Sequence, residues 1–153
     1  MSTDGENPVK NRVIFIAAAT MVIGGAVGCS SGPAAAKFQS GTLPPGAARL
    51  TVSGKDATTG AVQCWTAESL TTITMGTEVS GATVMVSNAE KPIVEFVTVR
   101  DLSGFVGNYN LGLEGNATVA MTGATYEITG TVRGYNPTSI EPTTEPFTIK
   151  VSC

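Results

Sequence analysis

Histidine is absent from all 153 residues. That excludes Ser-His-Asp and Cys-His catalysis, imidazole general-base chemistry and histidine zinc sites together. No P-loop and no glycine-rich dinucleotide fingerprint follows a β-like run. Charge is sparse, at 14% of residues, and its balance is acidic, with 9 basic against 12 acidic side chains. With no basic patch to neutralise phosphates, nucleic acid is not an expected partner. Glu141 and Glu145 lie four apart in a proline-rich stretch and read as solvated loop charges. Asp101 and Glu114, beside glycine-rich backbone, are the nearest thing to a cation set. Neither pair is assigned, so no catalytic residue, metal ligand or cofactor is expected. Tryptophan occurs once, at Trp65, and cysteine three times, at Cys29, Cys64 and Cys153.

What is present begins with one long apolar run, Val13 to Val27, preceded by Lys10 and Arg12 and free of charge. Its 15 residues span roughly 22 Å as a helix, short of the hydrocarbon core of about 30 Å. The pair Gly24-Gly25 weakens it further as a permanent span. A positive flank, a short apolar core and small residues before a cut point describe an export leader. The run ends on Ala26-Val27-Gly28-Cys29, which resembles a bacterial lipobox. That motif implies a diacylglyceryl group on the Cys29 sulfur and cleavage before Cys29. Residues 1–28 are therefore expected to be a signal peptide, and two acyl chains on Cys29 hold a domain durably on a membrane where one does not. Localisation is then the outer face of the cell membrane.

The 125 residues from Cys29 onward are enough for one domain. The leader takes Lys10 and Arg12 with Asp4 and Glu6, so the net charge stays at −3. Residues 29–48, rich in Ser, Gly, Ala and Pro, read as a flexible tether. With Cys29 acylated, Cys64 and Cys153 are an even pair in an oxidising compartment, and a disulfide between them is expected. Two unpaired buried thiols are the alternative. The bridge would close a loop of about 90 residues, for which chain entropy gives an upper figure of roughly 4–5 kcal/mol.

From residue 49 to 153 the pattern is short alternating runs divided by turn residues. Val62 and Cys64 share one face of a strand and Trp65 takes the other. Thr71, Ile73 and Met75 alternate against Leu70, Thr72 and Thr74. Ile93 to Arg100 has apolar residues on both faces and reads as a central strand. Leu102 to Gly115 reads as an irregular, bulged strand. Asn116–Thr122 and Thr125–Arg133 form a hairpin candidate around Gly123-Ala124. Gly134 to Pro146, with three prolines, reads as a long loop. Phe147, Ile149, Val151 and Cys153 alternate with Thr148, Lys150 and Ser152, so both Cys153 and Cys64 point toward core-facing sides. The sum is an all-β fold, an antiparallel β-sandwich of about 8 strands, with a small barrel as the alternative. No oligomerisation signal stands out, and a monomer is expected.

From Leu50 to Cys153 the chain resembles the mycobacterial lipoprotein antigen family typified by LpqH. The resemblance rests on LTVSGKD (Leu50–Asp56), AVQC (Ala61–Cys64), EGNATV (Glu114–Val119) with YEITGTVRG (Tyr126–Gly134), and FTIKVSC (Phe147–Cys153), in that order behind the lipobox. It implies an exported, acylated surface antigen with paired cysteines. It also implies host pattern-recognition receptors, Toll-like receptor 2 among them, as partners of the acyl group, and it implies no enzymatic activity. The alternative function is binding or carriage of an envelope lipid or glycolipid. Trp65, Phe105, Tyr109 and Tyr135, with Met75, Met85 and Met121, read either as ordinary core or as the candidate lining of an apolar cleft in a splayed sandwich.

Overall fold

The computed structural model describes residues 40–57 and 59–153. The leader, Cys29 and the first part of the tether lie outside the described residues. Among the described residues there are ten strands: β1 (Ala48–Val52), β2 (Lys55–Ala57), β3 (Val62–Ala67), β4 (Leu70–Gly76), β5 (Gly81–Ser87), β6 (Ile93–Leu102), β7 (Phe105–Asn110), β8 (Ala117–Thr122), β9 (Thr125–Tyr135) and β10 (Thr143–Ser152). All pairings are antiparallel. The all-β antiparallel class expected from the alternation is therefore the class observed. Hydrogen bonding runs on without a break in the order β2-β1-β10-β9-β7-β6-β5-β4-β3, with β8 beside β9. The two layers are thus one sheet curled into a half-barrel.

The curl is possible because β9 changes neighbour along its length. Its first half pairs with β8, Ala117 opposite Gly130 through Thr122 opposite Thr125. Its last three residues pair with β7, Val106 opposite Tyr135 and Asn108 opposite Arg133. Glycines mark both junctions. A Cβ at Gly134 would stand 2.0 Å from the Val106 carbonyl oxygen, and one at Gly130 2.1 Å from that of Asn116. Only residues without side chains let the backbones approach so closely.

Inward residues follow the expected alternation on β4, β5, β9 and β10. Ile73, Met75, Val84, Val86, Ile128, Val132, Ile149 and Val151 are fully buried. On β6 strict alternation fails, and the cause is two irregularities. Met85 faces Phe96 while Val86 faces Val94, which leaves Glu95 as an extra residue. The pairing shifts again between Val99 and Leu102, where Asp101 has φ 39°. Each extra residue flips the side-chain phase, so Val94, Val97, Val99 and Leu102 all reach the core. The core-facing valines of this run and Leu102 thus form one face, shifted twice, while Ile93 is exposed and Phe96 only half-buried.

Three further expectations need correction. Leu102–Gly115 is not one irregular strand: Ser103 and Gly104, both at positive φ, turn the chain tightly into the regular strand β7. The loop read over Gly134–Pro146 shrinks to 136–142, because β9 and β10 extend into it. Pro146 sits within β10 where β1 has just ended; its carbonyl accepts from Ser53 N, so its missing donor faces the end of that neighbour. Residues 40–48 are not free tether. Leu43 N donates to Thr125 Oγ1 at 3.0 Å, Gly46 N to the Ser152 carbonyl, and Ser152 N to the Ala47 carbonyl.

Cys64 and Cys153 form a disulfide with a Cα–Cα distance of 5.8 Å. It joins β3, at one end of the strand order, to the residue after β10. The cysteines are not core-facing in effect, since both are exposed. Cys64 does share a face with Ile73, its partner on β4, but β3 lies at the sheet edge and nothing covers it. Cys153 falls one residue beyond the end of β10. Near the same end, the Asn88 amide donates to Thr71 Oγ1 at 3.0 Å and to the Tyr126 hydroxyl at 3.1 Å. That polar bridge and the disulfide both tie the β3–β5 side to the β9–β10 side.

Candidate functional site

The four aromatic residues proposed as one cleft do not come together. Phe105 and Tyr109 point inward from β7 and are each 4% exposed. They are core. The ring of Phe105 occupies the space that a Cβ on Gly107 would need. Trp65 stands on the outer face of β3 at 69% exposure. Tyr135 lies at the end of β9, 56% exposed. Of the three methionines, Met75 is fully buried, Met85 half-buried on β5 and Met121 exposed on β8. Phe105 and Tyr109 share one side of the regular strand β7, and packing against the rest of the sheet makes that side the core.

Tyr135 does line a depression. It is an open groove of about 780 Å³ on the outer face, where β7 meets β9. Val106 and Asn108 stand out from β7 directly opposite Tyr135 and Arg133 of β9, and Thr98 of β6 faces Asn108. The turn from β7 to β8 forms one wall and supplies Leu113 and Glu114; Pro142 comes from the opposite side. Leu113 is 78% exposed. Its turn is set by Leu113 N donating to the Asn110 carbonyl at 3.1 Å, with Gly112 at positive φ. Glu114 binds Arg133 Nε at 3.1 Å. Both partners are exposed, so the pair adds at most about 1 kcal/mol and chiefly fixes the turn against β9.

The groove therefore has an apolar floor and wall (Val106, Leu113, Tyr135, Pro142) and a polar rim (Thr98, Asn108, Asn110, Glu114, Arg133). That mixture suits an amphipathic ligand better than a charged one. Only Tyr135 was legible beforehand. For Leu113 a signal was present, since it stands beside Gly112 in the stretch LGLEG, too short to bury a leucine.

No reactive constellation accompanies the groove. Glu145 stands on β10, where its carboxylate accepts the Ser53 hydroxyl, and Glu141 lies in the preceding loop with its carbonyl bonded by Ser139 Oγ. They are not a facing pair. Glu114 is bound to Arg133, and Asp101 offers its backbone carbonyl to Ser80 Oγ. Among the described residues no cluster of three or more acidic, cysteine or histidine side chains is placed to hold a metal.

Sequence comparisons bear on this domain as a whole. The family model described as Mycobacterium 19 kDa lipoprotein antigen matches residues 41–153. That start coincides with the docked segment that precedes β1. Lipoprotein LpqH of Mycobacterium tuberculosis is 32% identical over 158 aligned residues, spanning 94% of this chain and 98% of that protein. A relative from Mycobacterium avium subsp. hominissuis is 32% identical over 148 residues, 95% of this chain and 98% of the other. One from Mycobacterium indicus pranii is 38% identical over 108 residues, 69% and 78% of the two chains.

Proposed function

Because the chain belongs to the Mycobacterium 19 kDa lipoprotein antigen family, we propose that it is a non-catalytic, lipid-anchored surface protein of the cell envelope. The lipoprotein name carried by the family implies export and anchoring in a membrane by lipid. The observation that carries the proposal is the match over residues 41–153 behind a leader whose sequence ends at Gly28-Cys29. In this reading cleavage before Cys29 makes it the N-terminus, its acyl-glyceryl group sits in the outer leaflet, and the β-domain is displayed outward. The acylated N-terminus is what host pattern-recognition receptors would engage. Labelled palmitate is expected in the wild-type chain and absent from Cys29→Ala, which should leave the membrane fraction almost completely. A variant that partitions into membranes as the parent does sinks the anchor.

The groove favours a second reading, binding of an envelope lipid or glycolipid. An acyl segment would lie along Val106, Leu113 and Tyr135, and a head group would meet Asn108 and Asn110. Native mass spectrometry of the full chain released from its own membranes tests this. The expected result is a reproducible co-purifying mass that Leu113→Asp together with Tyr135→Asp removes. An identical adduct on that variant, or none on the parent, overturns it.

A further inference from the structure

Three strands of the curled sheet have an edge that no other strand pairs, and they are protected very unequally. β2 is only three residues long and carries Lys55 and Asp56. Short length and charge are the usual defences of a sheet edge. β8 is uncharged but packs alongside β6. β3 has neither defence. It reads VQCWTA, six residues with no charge, proline or glycine, and it pairs only with β4. Its four central residues, Gln63 to Thr66, are all exposed.

The phase of its free groups follows from the hairpin. Gly76 N donates to the Ala61 carbonyl, and Ala67 closes the two-residue turn opposite Leu70. In an antiparallel pair, hydrogen-bonded positions alternate. Ala61, Gln63, Trp65 and Ala67 therefore exchange bonds with β4. The N–H and C=O groups of Val62, Cys64 and Thr66 point away from it, and no described residue bonds them.

We propose that β3 is the homodimer edge of this protein, pairing antiparallel with β3 of a second copy across a two-fold axis at Cys64. In that register Cys64 meets its own counterpart, Val62 meets Thr66 of the other copy, and both are hydrogen-bonding positions. Gln63 falls at the intervening position opposite Trp65 of the other copy, twice, on the outer face. Because the strand carries no charge, this register sets no like charges opposite each other, which would repel. The two Trp65 rings supply the apolar area. One six-residue strand pair with two indoles buries on the order of 1,000 Å², the size of weak, transient interfaces, and the expected Kd is set on that scale at about 10–100 μM. The expectation of a monomer drawn from the sequence is replaced by that of a weak dimer.

Trp65 is the sole tryptophan, so the intact protein carries its own reporter. The full chain in detergent micelles, kept below one chain per micelle, is followed by sedimentation and by Trp65 emission as concentration rises. Mass should double while the emission moves to shorter wavelength at the same midpoint. Gln63→Lys with Trp65→Lys sets lysine against lysine twice and should leave a monomer. Gln63→Lys with Trp65→Glu sets lysine against glutamate and should recover a dimer weaker than the parent's. Both positions are exposed on the outer face, and retained far-ultraviolet dichroism checks the fold of each variant. A parent chain that stays monomeric up to about ten times the expected Kd overturns the proposal, as it would if the edge instead received an extended segment of another protein. So does a dimer that the double lysine variant leaves intact, which would place the contact elsewhere, the β8 edge included. Failure of the two charge variants to differ overturns the register.

Discussion

Replacing Cys64 and Cys153 together by serine is expected to cost about 4 kcal/mol of stability and to lower the urea midpoint of the full chain by about 2 M. The disulfide spans 89 residues, so the unfolded chain regains most of the loop entropy it had lost. The loss should also be uneven. β3 exposes most of its side chains and has a single strand neighbour, so little apolar burial holds it once the bridge is gone. Amide exchange at Gln63 and Trp65, which bond across to β4, should accelerate well before exchange in β9 and β10. The reference is the unreduced parent chain under the same conditions. A change below about 1 kcal/mol would mean that the reduced unfolded chain keeps the two segments close. Exchange that rises uniformly over the whole sheet would overturn the assignment of β3 as the weakly held element.

Gly134→Val is expected to cost about 3 kcal/mol or more and to open the seam at which the sheet turns from one layer to the other. The new Cβ would lie 2.0 Å from the Val106 carbonyl oxygen and 2.4 Å from the Gly107 Cα. Both are backbone atoms of the facing strand, so no side-chain rotation relieves the clash. The seam has little slack, since β7 and β9 pair over three residues only. If they separate, Val106 and Tyr135 part and the groove of the outer face goes with them. Gly112→Ala is the control. It also disturbs a glycine, at φ 79°, but with nothing within 4 Å of the added Cβ. Its cost should stay within the 1–2 kcal/mol of a left-handed alanine. Urea unfolding of the two variants against the parent separates the cases. Equal losses would mean that backbone strain, and not close approach of two strands, sets the requirement for glycine.

The two effects act at different places on the strand path, one at its β3 end and the other near its middle. The disulfide restrains the free end at β3, and the paired glycines permit the bend at β7 and β9. A curled sheet with one long core needs both, because its layers are joined on one side by strand hydrogen bonds and on the other, among the described residues, by the bridge, the Asn88 amide and the bond from Thr59 Oγ1 to the Ala48 carbonyl. The same openness leaves β3 available to a second copy, so the element that contributes least to the fold is the one best placed for an interaction.

Much of this was determined by the sequence alone. The antiparallel all-β class, the faces of β4, β5, β9 and β10, the β8–β9 hairpin and the pairing of Cys64 with Cys153 followed from alternation, turn residues and a count of cysteines. These are local or combinatorial facts, and a period of two records them directly. Tertiary structure decided the rest. Alternation says which residues share a face but not whether anything covers that face. Cys64 and Ile73 therefore lie on one side of the sheet with opposite exposure, and Phe105 and Tyr109 are core while Trp65 and Tyr135 are surface. The bulge at Glu95 and the shift before Leu102 arise from register with β5 and β7, which no window of β6 contains. That Gly134 closes a seam, that Leu113 walls a groove and that β3 is an edge depend on strand order, and strand order is set by contacts between residues far apart in the chain.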